Sequence, residues 1–160
     1  MNAPGHHDAI VQLPFATVGL RLGVGGDAIE GIEFLPPETA ERAAVHPLAR
    51  QAVTALRRYA DEPAFRFQLP IRLHGTPFQR RVWAALQTLQ CGETVRYGEL
   101  AARLGSGARA IGNACRANPL PLIVPCHRVV AKHGLGGFAG DRDGGRIVIK
   151  QRLLQHEGVL

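Results

Sequence analysis

Residues 120–130 read LPLIVPCHRVV. Pro125 has no backbone N–H to offer a ladder, so this apolar run can end a strand or lie at a sheet edge but cannot continue through a sheet interior. The chain therefore has to open or bend where Cys126, His127 and Arg128 come next. A core cysteine closing a strand formed by PLIVP is the plainer account, since free thiols are among the most buried side chains. Against it, His127 and Arg128 are neighbouring cations that favour thiolate over thiol, which makes Cys126 a candidate nucleophile. Adjacent side chains of a strand face opposite ways, so His127 is expected to reach the sulfur across a turn or through a water. An imidazole base also needs a partner on its other nitrogen, and the downstream carboxylates are Asp141, Asp143 and Glu157. Glu157 closes the helical pattern IVIKQRLLQHEG, where an acid opposes the helix dipole and is easiest to understand if it has a specific partner.

The rest of the chain divides into two expected domains, 1–75 and 76–160. In the first, AIVQLP, TVGLRLG and AIEGIEFLP are short β-type runs broken by Gly25, Gly26 and Asp27. A helix with Leu48, Ala52, Leu56 and Tyr59 on one face comes next, and FRFQLPIRL (65–73) suits an edge strand or extended linker. Nothing in this half looks reactive, and it reads as scaffold. In the second domain TPFQ (76–79) is a helix start, with Thr76 as cap, Pro77 in the first turn and Gln79 completing a capping box. Phe78, Val82, Leu86 and Leu89 form its core stripe, and Trp83 flanks that stripe as packing. A second helix fits Tyr97–Leu104 with Gly105 as C-terminal cap, and a third fits Ala108–Ala117.

These two short helices make a helix-turn-helix arrangement. On the third helix Ala108, Ile111 and Cys115 share one side. Ala110, Gly112, Ala114 and Ala117 leave a slim exposed side whose long side chains are Arg109 and Arg116. A packed pair with a solvated basic face would explain this, and so would a surface that enters a DNA groove by shape. That slim side tilts the reading toward the second account, and the charge is compatible with it: 19 basic residues against 13 acidic ones give a net +6, and only Lys132 and Lys150 are lysines. Arginine is the better partner for phosphate. With 46% apolar and 20% charged residues the chain reads as globular. Three unclustered cysteines fit a reducing compartment and disfavour both a disulfide framework and a cysteine-rich zinc site. No apolar run is long enough to span a membrane and MNAPGHHDAIVQLP does not read as a secretory signal, so a cytoplasmic location is expected.

From these residues alone, a Cys-His hydrolase with turnover, a thiol that accepts a group and keeps it, and a helix-turn-helix regulator with an inert cysteine all stay open. The order of motifs is more specific. TPFQRRVW (76–83), GETVRYGELA (92–101), ARAIGNACRANPLPLIVPCHRVV (108–130), GLGGFAG (134–140) and KQRLLQHEG (150–158) together resemble the alkylguanine-DNA alkyltransferases, also called methylated-DNA–protein-cysteine methyltransferases. The resemblance implies an α+β protein: a small N-terminal α/β (RNase H-like) domain with a short antiparallel sheet, then a mostly helical domain containing the helix-turn-helix. It implies irreversible transfer of an alkyl group from O6-alkylguanine in duplex DNA to Cys126, one event per molecule. His127 would deprotonate the thiol through water, Glu157 would orient His127, Asn118 would organise the surrounding turn, and Tyr97 would assist the departing guanine and crowd the neighbouring phosphate. Arg109 would fill the space of the flipped base as its helix enters the minor groove, with Ala110, Gly112, Arg116 and Arg128 as further DNA contacts. Val124, Pro125, Gly137 and Phe138 would line the pocket. No cofactor and no metal are implied, because residues 1–75 lack the cysteines with which some relatives hold zinc, and the partner is DNA met by a monomer, not a membrane. Relatives that bind damage without reacting carry tryptophan where Cys126 stands. Two departures from the family pattern stand out: the turn LGSGA is shortened, and DRDGG (141–145) looks inserted beside the pocket.

Overall fold

The structure is a computed structural model that describes residues 6–137 and 145–160. Phe138 and all but the last residue of DRDGG lie outside the described residues. The chain forms two compact units, Met1–His74 and Gly75–Leu160.

In the first unit β1 (Ala9–Gln12), β2 (Thr17–Leu22) and β3 (Ile29–Leu35) make an antiparallel sheet in that order. Central β2 is buried almost throughout, as a strand covered on both faces must be. A Cβ at Gly19 would overlap the His7 ring that covers it, so His7 would have to shift for any larger residue there. Helix α1 (Pro47–Asp61) starts with Pro47 in its first turn and His46 Nδ1 accepting from Leu48 N, and buries Leu48, Ala52, Leu56 and Tyr59 as the periodicity requires. Residues 65–73 are extended and touch β3 by a single bridge, Ile29 to Ile71, so they form a linker more than a strand.

The second unit holds α2 (Pro77–Gln87), β4 (Val95–Arg96), α3 (Tyr97–Leu104), α4 (Ala108–Arg116), β5 (Val129–Val130) and α5 (Gly145–His156). Both arms of the Thr76–Gln79 capping box are present at α2, a device worth about 1 kcal/mol. Val82, Trp83 and Leu86 are its buried residues, while Phe78 is half-buried and Leu89 lies beyond its end. Trp83 packs as expected, donating its indole N–H to the Ala114 carbonyl at 2.9 Å. Gly105 ends α3 at φ 65°, a left-handed cap. Two expectations for α4 need correction. Ala108 is exposed because it opens the first turn, and Ala114 is buried with Ile111 and Cys115 because it faces Trp83.

The run before Cys126 is not a strand either. Only Pro121 and Val124 bridge, and Cys126–Arg128 is one 3₁₀ turn that leads into β5. β5 pairs in parallel with β4, Val95 opposite Val129 and Arg96 opposite Val130. That short ladder sets Tyr97, the residue after β4, beside the turn that precedes β5.

Candidate active site

Asn118 shapes the approach to the cysteine. Its Oδ1 accepts from Leu120 N at 2.9 Å and its Nδ2 donates to the Val124 carbonyl at 2.8 Å, so one side chain clips both ends of the 120–124 segment. Within it Leu122 sits at φ 78°. A non-glycine residue there costs about 1–3 kcal/mol, an amount that burying its side chain, worth about 1.5–3 kcal/mol, offsets. Pro125 comes next at φ −81°, ψ 67°, an inverse γ-turn closed by Cys126 N donating to Val124 O at 2.8 Å. The proline ring fixes φ at the value this turn needs. Pro125 therefore bends the chain, as its missing donor suggested, but inward: Cys126 is only 5% exposed, and Val124 and Pro125 are buried with it.

His127 does not face the solvent. Its Nε2 lies 2.8 Å from Glu157 Oε2, both side chains being almost wholly buried. An ionised carboxylate can only accept, so Nε2 carries the proton and Nδ1 presents a lone pair. Nδ1 is buried and hydrogen-bonded to no group among the described residues. Glu157 is fixed by a Schellman motif at the end of α5, with Gly158 at φ 81°, Gly158 N bonded to Gln155 O and Val159 N to Leu154 O. Glu157, one of the three downstream carboxylates, meets the histidine, while Asp141 and Asp143 lie outside the described residues.

Arg128, expected on DNA, is instead an internal clamp. Its Nε and Nη2 donate to Glu157 at 2.9 and 3.0 Å, and its Nη1 donates to the Leu89 carbonyl at 2.6 Å. The guanidinium is used up holding the carboxylate, and the residue is 9% exposed.

The electrostatics correct a second expectation. Burial pushes the Cys126 thiol above its ordinary value, opposed by the Asn118 side chain and by the charge of Lys150. The adjacent residues supply no cation: Arg128 faces Glu157, and burial holds His127 below its ordinary value against the pull of that carboxylate. At rest the pair is a thiol beside a neutral imidazole. Lys150, which the motifs left without a role, is 0% exposed, and burial lowers it to about 8. Its ammonium donates to the carbonyls of Val129 (2.7 Å), Leu135 (2.5 Å) and Gly137 (3.0 Å). A signal for it existed in the sequence. Lys150, Leu153 and Leu154 on α5 and Glu157 just beyond its end continue one helical stripe and all are buried, so two ionisable groups occupy core positions along it.

Tyr97 donates its hydroxyl to the Gly137 carbonyl at 3.3 Å, and burial raises its pKa so that it stays a donor. Gly136, also unforeseen, makes room for it: at φ 75°, a Cβ would lie 2.8 Å from the Tyr97 ring. Cys115, on the buried side of α4, is pushed up to about 12 by burial and by Cys126. On α4 itself Arg109 and Arg116 are exposed and Ala110 and Gly112 half-buried. Among the described residues beyond its own helix, a Cβ on Gly112 would meet only Tyr97, at 4.0 Å.

A family model described as the DNA-binding domain of 6-O-methylguanine DNA methyltransferase matches residues 77–159, half of the chain. The chain belongs to this family. The match starts at the first residue of α2 and takes in Tyr97, α4, Asn118, the Cys126–Arg128 turn, Lys150 and Glu157. A methylated-DNA–protein-cysteine methyltransferase of Salmonella typhimurium is 51% identical over 89 residues, 54% of this chain and 49% of its own. A constitutive enzyme of that name from Bacillus subtilis is 41% identical over 99 residues, 60% of either chain. The chain thus aligns with about half the length of such curated relatives. Among methyltransferase structures, that of the Mycobacterium tuberculosis protein in complex with DNA superposes at TM-score 0.74 with 36% identity, covering 92% of this chain and 90% of that one. This likeness reaches beyond the matched domain into the first unit, so the methyltransferase fold extends to the sheet of β1–β3.

Proposed function

We propose that the chain repairs duplex DNA by moving an alkyl group from O6 of guanine to the Cys126 sulfur, irreversibly and once per molecule, as a monomer in the cytoplasm. The observation that carries this reading is the buried thiol next to a neutral histidine whose one free nitrogen is a lone pair, its other nitrogen locked to an inaccessible carboxylate. His127 takes the thiol proton through a bridging water. The sulfur attacks the alkyl carbon in line, an S–C bond forms and the C–O6 bond breaks. The guanine leaves with its electron pair and is neutralised by a proton, with Tyr97 donating a hydrogen bond as the charge develops. A thioether has no ready exit, so Cys126 stays occupied.

A base inside a duplex cannot reach a buried sulfur, so the nucleotide has to rotate out; a poorly pairing alkylated guanine lowers that cost. Helix α4 enters the minor groove with Arg109 filling the vacated space and Arg116 meeting phosphate, while Ala110 and Gly112 permit the close approach. Val124, Pro125 and Gly137 line the pocket. Residues 1–75 serve as scaffold and residues 76–160 carry the DNA-binding and acceptor functions. No cofactor takes part.

Intact-protein mass after incubation with methylated duplex DNA tests this directly. One methyl group per chain, mapped to the Cys126 peptide, is expected. A chain that stays unmodified, or that processes many lesions per molecule as a hydrolase would, overturns the proposal. Sequence-specific DNA binding with an inert thiol would point to a regulator.

A further inference from the structure

Lys150 is an ionisable group that the transfer chemistry leaves unused, yet it is the most completely enclosed cation in the second unit's described residues. An ammonium has three protons to donate, and here three carbonyls receive them: Val129 on β5, and Leu135 and Gly137 on the segment that leads away from it. The Gly137 carbonyl is shared, because the Tyr97 hydroxyl donates to it as well. The ammonium also stands 5.8 Å from the centre of the Tyr97 ring.

We propose that Lys150 is a positioning residue of the acceptor site: a single ammonium ties the Leu135–Gly137 segment to β5 and, through the Gly137 carbonyl, fixes the Tyr97 hydroxyl. The proposal rests on reading Cys126 as the alkyl acceptor with Tyr97 beside the departing base. Its logic is one of stoichiometry. A neutral amine has two protons for three acceptors, so loss of one proton frees one carbonyl and slackens the segment. Burial brings that loss down to about pH 8, where an ordinary lysine would hold its proton to 10.5. Among the described residues, the titratable groups that act on Lys150 are Cys126 and His127 from the 3₁₀ turn, Cys115 from α4 and Tyr97 from α3. Both cysteines favour the ammonium, and burial outweighs them.

The full chain supports two measurements that require no DNA. The first is amide hydrogen exchange, corrected for its intrinsic base catalysis. Between pH 7 and 9.5 the protection of residues 135–137 should fall about tenfold, the scale of one lost hydrogen bond, while α2 holds its protection. The second uses the fact that the chain has only two tyrosines. With ¹³Cζ-labelled tyrosine, the Tyr97 signal should move with a midpoint near the Lys150 value and the Tyr59 signal should not. In Lys150→Met both pH steps should vanish, with the 135–137 amides exchanging fast already at pH 7. Lys150→Gln, which keeps two donors without the charge, serves in its place if the methionine variant does not fold. Wild-type protection and a Tyr97 signal that are both flat across this range overturn the proposal, as does a pH step that persists in the variants. A chain that never takes a methyl group from DNA would sink the transfer reading and leave these outcomes interpretable.

Discussion

Glu157 Oε2 stands 2.8 Å from His127 Nε2, and Arg128, the very next residue, grips the same carboxylate with two nitrogens. One acid at the end of α5 thus serves two consecutive residues of the acceptor turn. Glu157→Gln would leave Arg128 without its counter-charge and His127 without a fixed tautomer. Transfer to Cys126 should slow by roughly 10²-fold or more, the scale of a lost general base. The melting temperature should fall as well, since unpairing one member of a buried ion pair costs about 3–5 kcal/mol. Single-turnover rates and thermal melts of this variant would show both, and an unchanged rate would remove His127 from the base role.

Arg128 and Arg109 should separate cleanly. Arg128→Met should lower stability, with duplex affinity and its salt slope unchanged, because this guanidinium contacts Glu157 and Leu89 rather than phosphate. Arg109→Ala should leave stability within about 0.5 kcal/mol, as exposed sites usually do. It should slow transfer from duplex DNA far more than transfer from the free modified base, which needs no extrusion. Equal slowing on the two substrates would refute the wedge role.

Gly112 gives a test of close approach. Among the described residues beyond its own helix, a Cβ there meets nothing nearer than Tyr97 at 4.0 Å. Gly112→Ala should therefore stabilise α4 by up to about 1 kcal/mol, the helix propensity difference. Gly112→Gln should fold equally well and lose duplex binding. If filter or anisotropy binding is intact in Gly112→Gln, α4 does not enter a groove by this face.

His127 also sets a pH dependence of stability. Its folded-state pKa lies below its ordinary 6.5, so the unfolded chain binds a proton first as pH falls. Stability should drop below about pH 6.5 with a slope of at most ~1.4 kcal/mol per pH unit from this group, and be fully present above it. Denaturant titrations from pH 5 to 8 should show the slope in the wild type and a flatter curve in His127→Gln. Equal slopes would mean that the imidazole is not held neutral.

Elements with strong local codes were readable in advance. The capping box at Thr76, the left-handed cap at Gly105 and the α1 stripe each depend on residues within one or two turns, and each is found where the spacing placed it. Glu157 was also visible, because an acid at a helix C-terminus contradicts the dipole. Tertiary context decided the rest. Whether Ala114 faces solvent depends on Trp83, which lies on another helix. Arg128 looks like any surface arginine until Glu157 folds back across it. The sign of the Cys126 shift depends on how deeply Pro125 turns the chain inward. A lysine is ordinarily a surface charge, so the burial of Lys150 shows only in its place on the stripe of α5.

The 5% exposure of Cys126 bears on the fate of the protein once it has reacted. A sulfur buried to this degree would have to carry each added carbon against the groups that cover it. Forcing one methylene into a tight interior costs about 1–3 kcal/mol. On the proposed transfer, an alkylated molecule would be mechanically stressed from within. The larger the group it has removed, the more readily it should come apart.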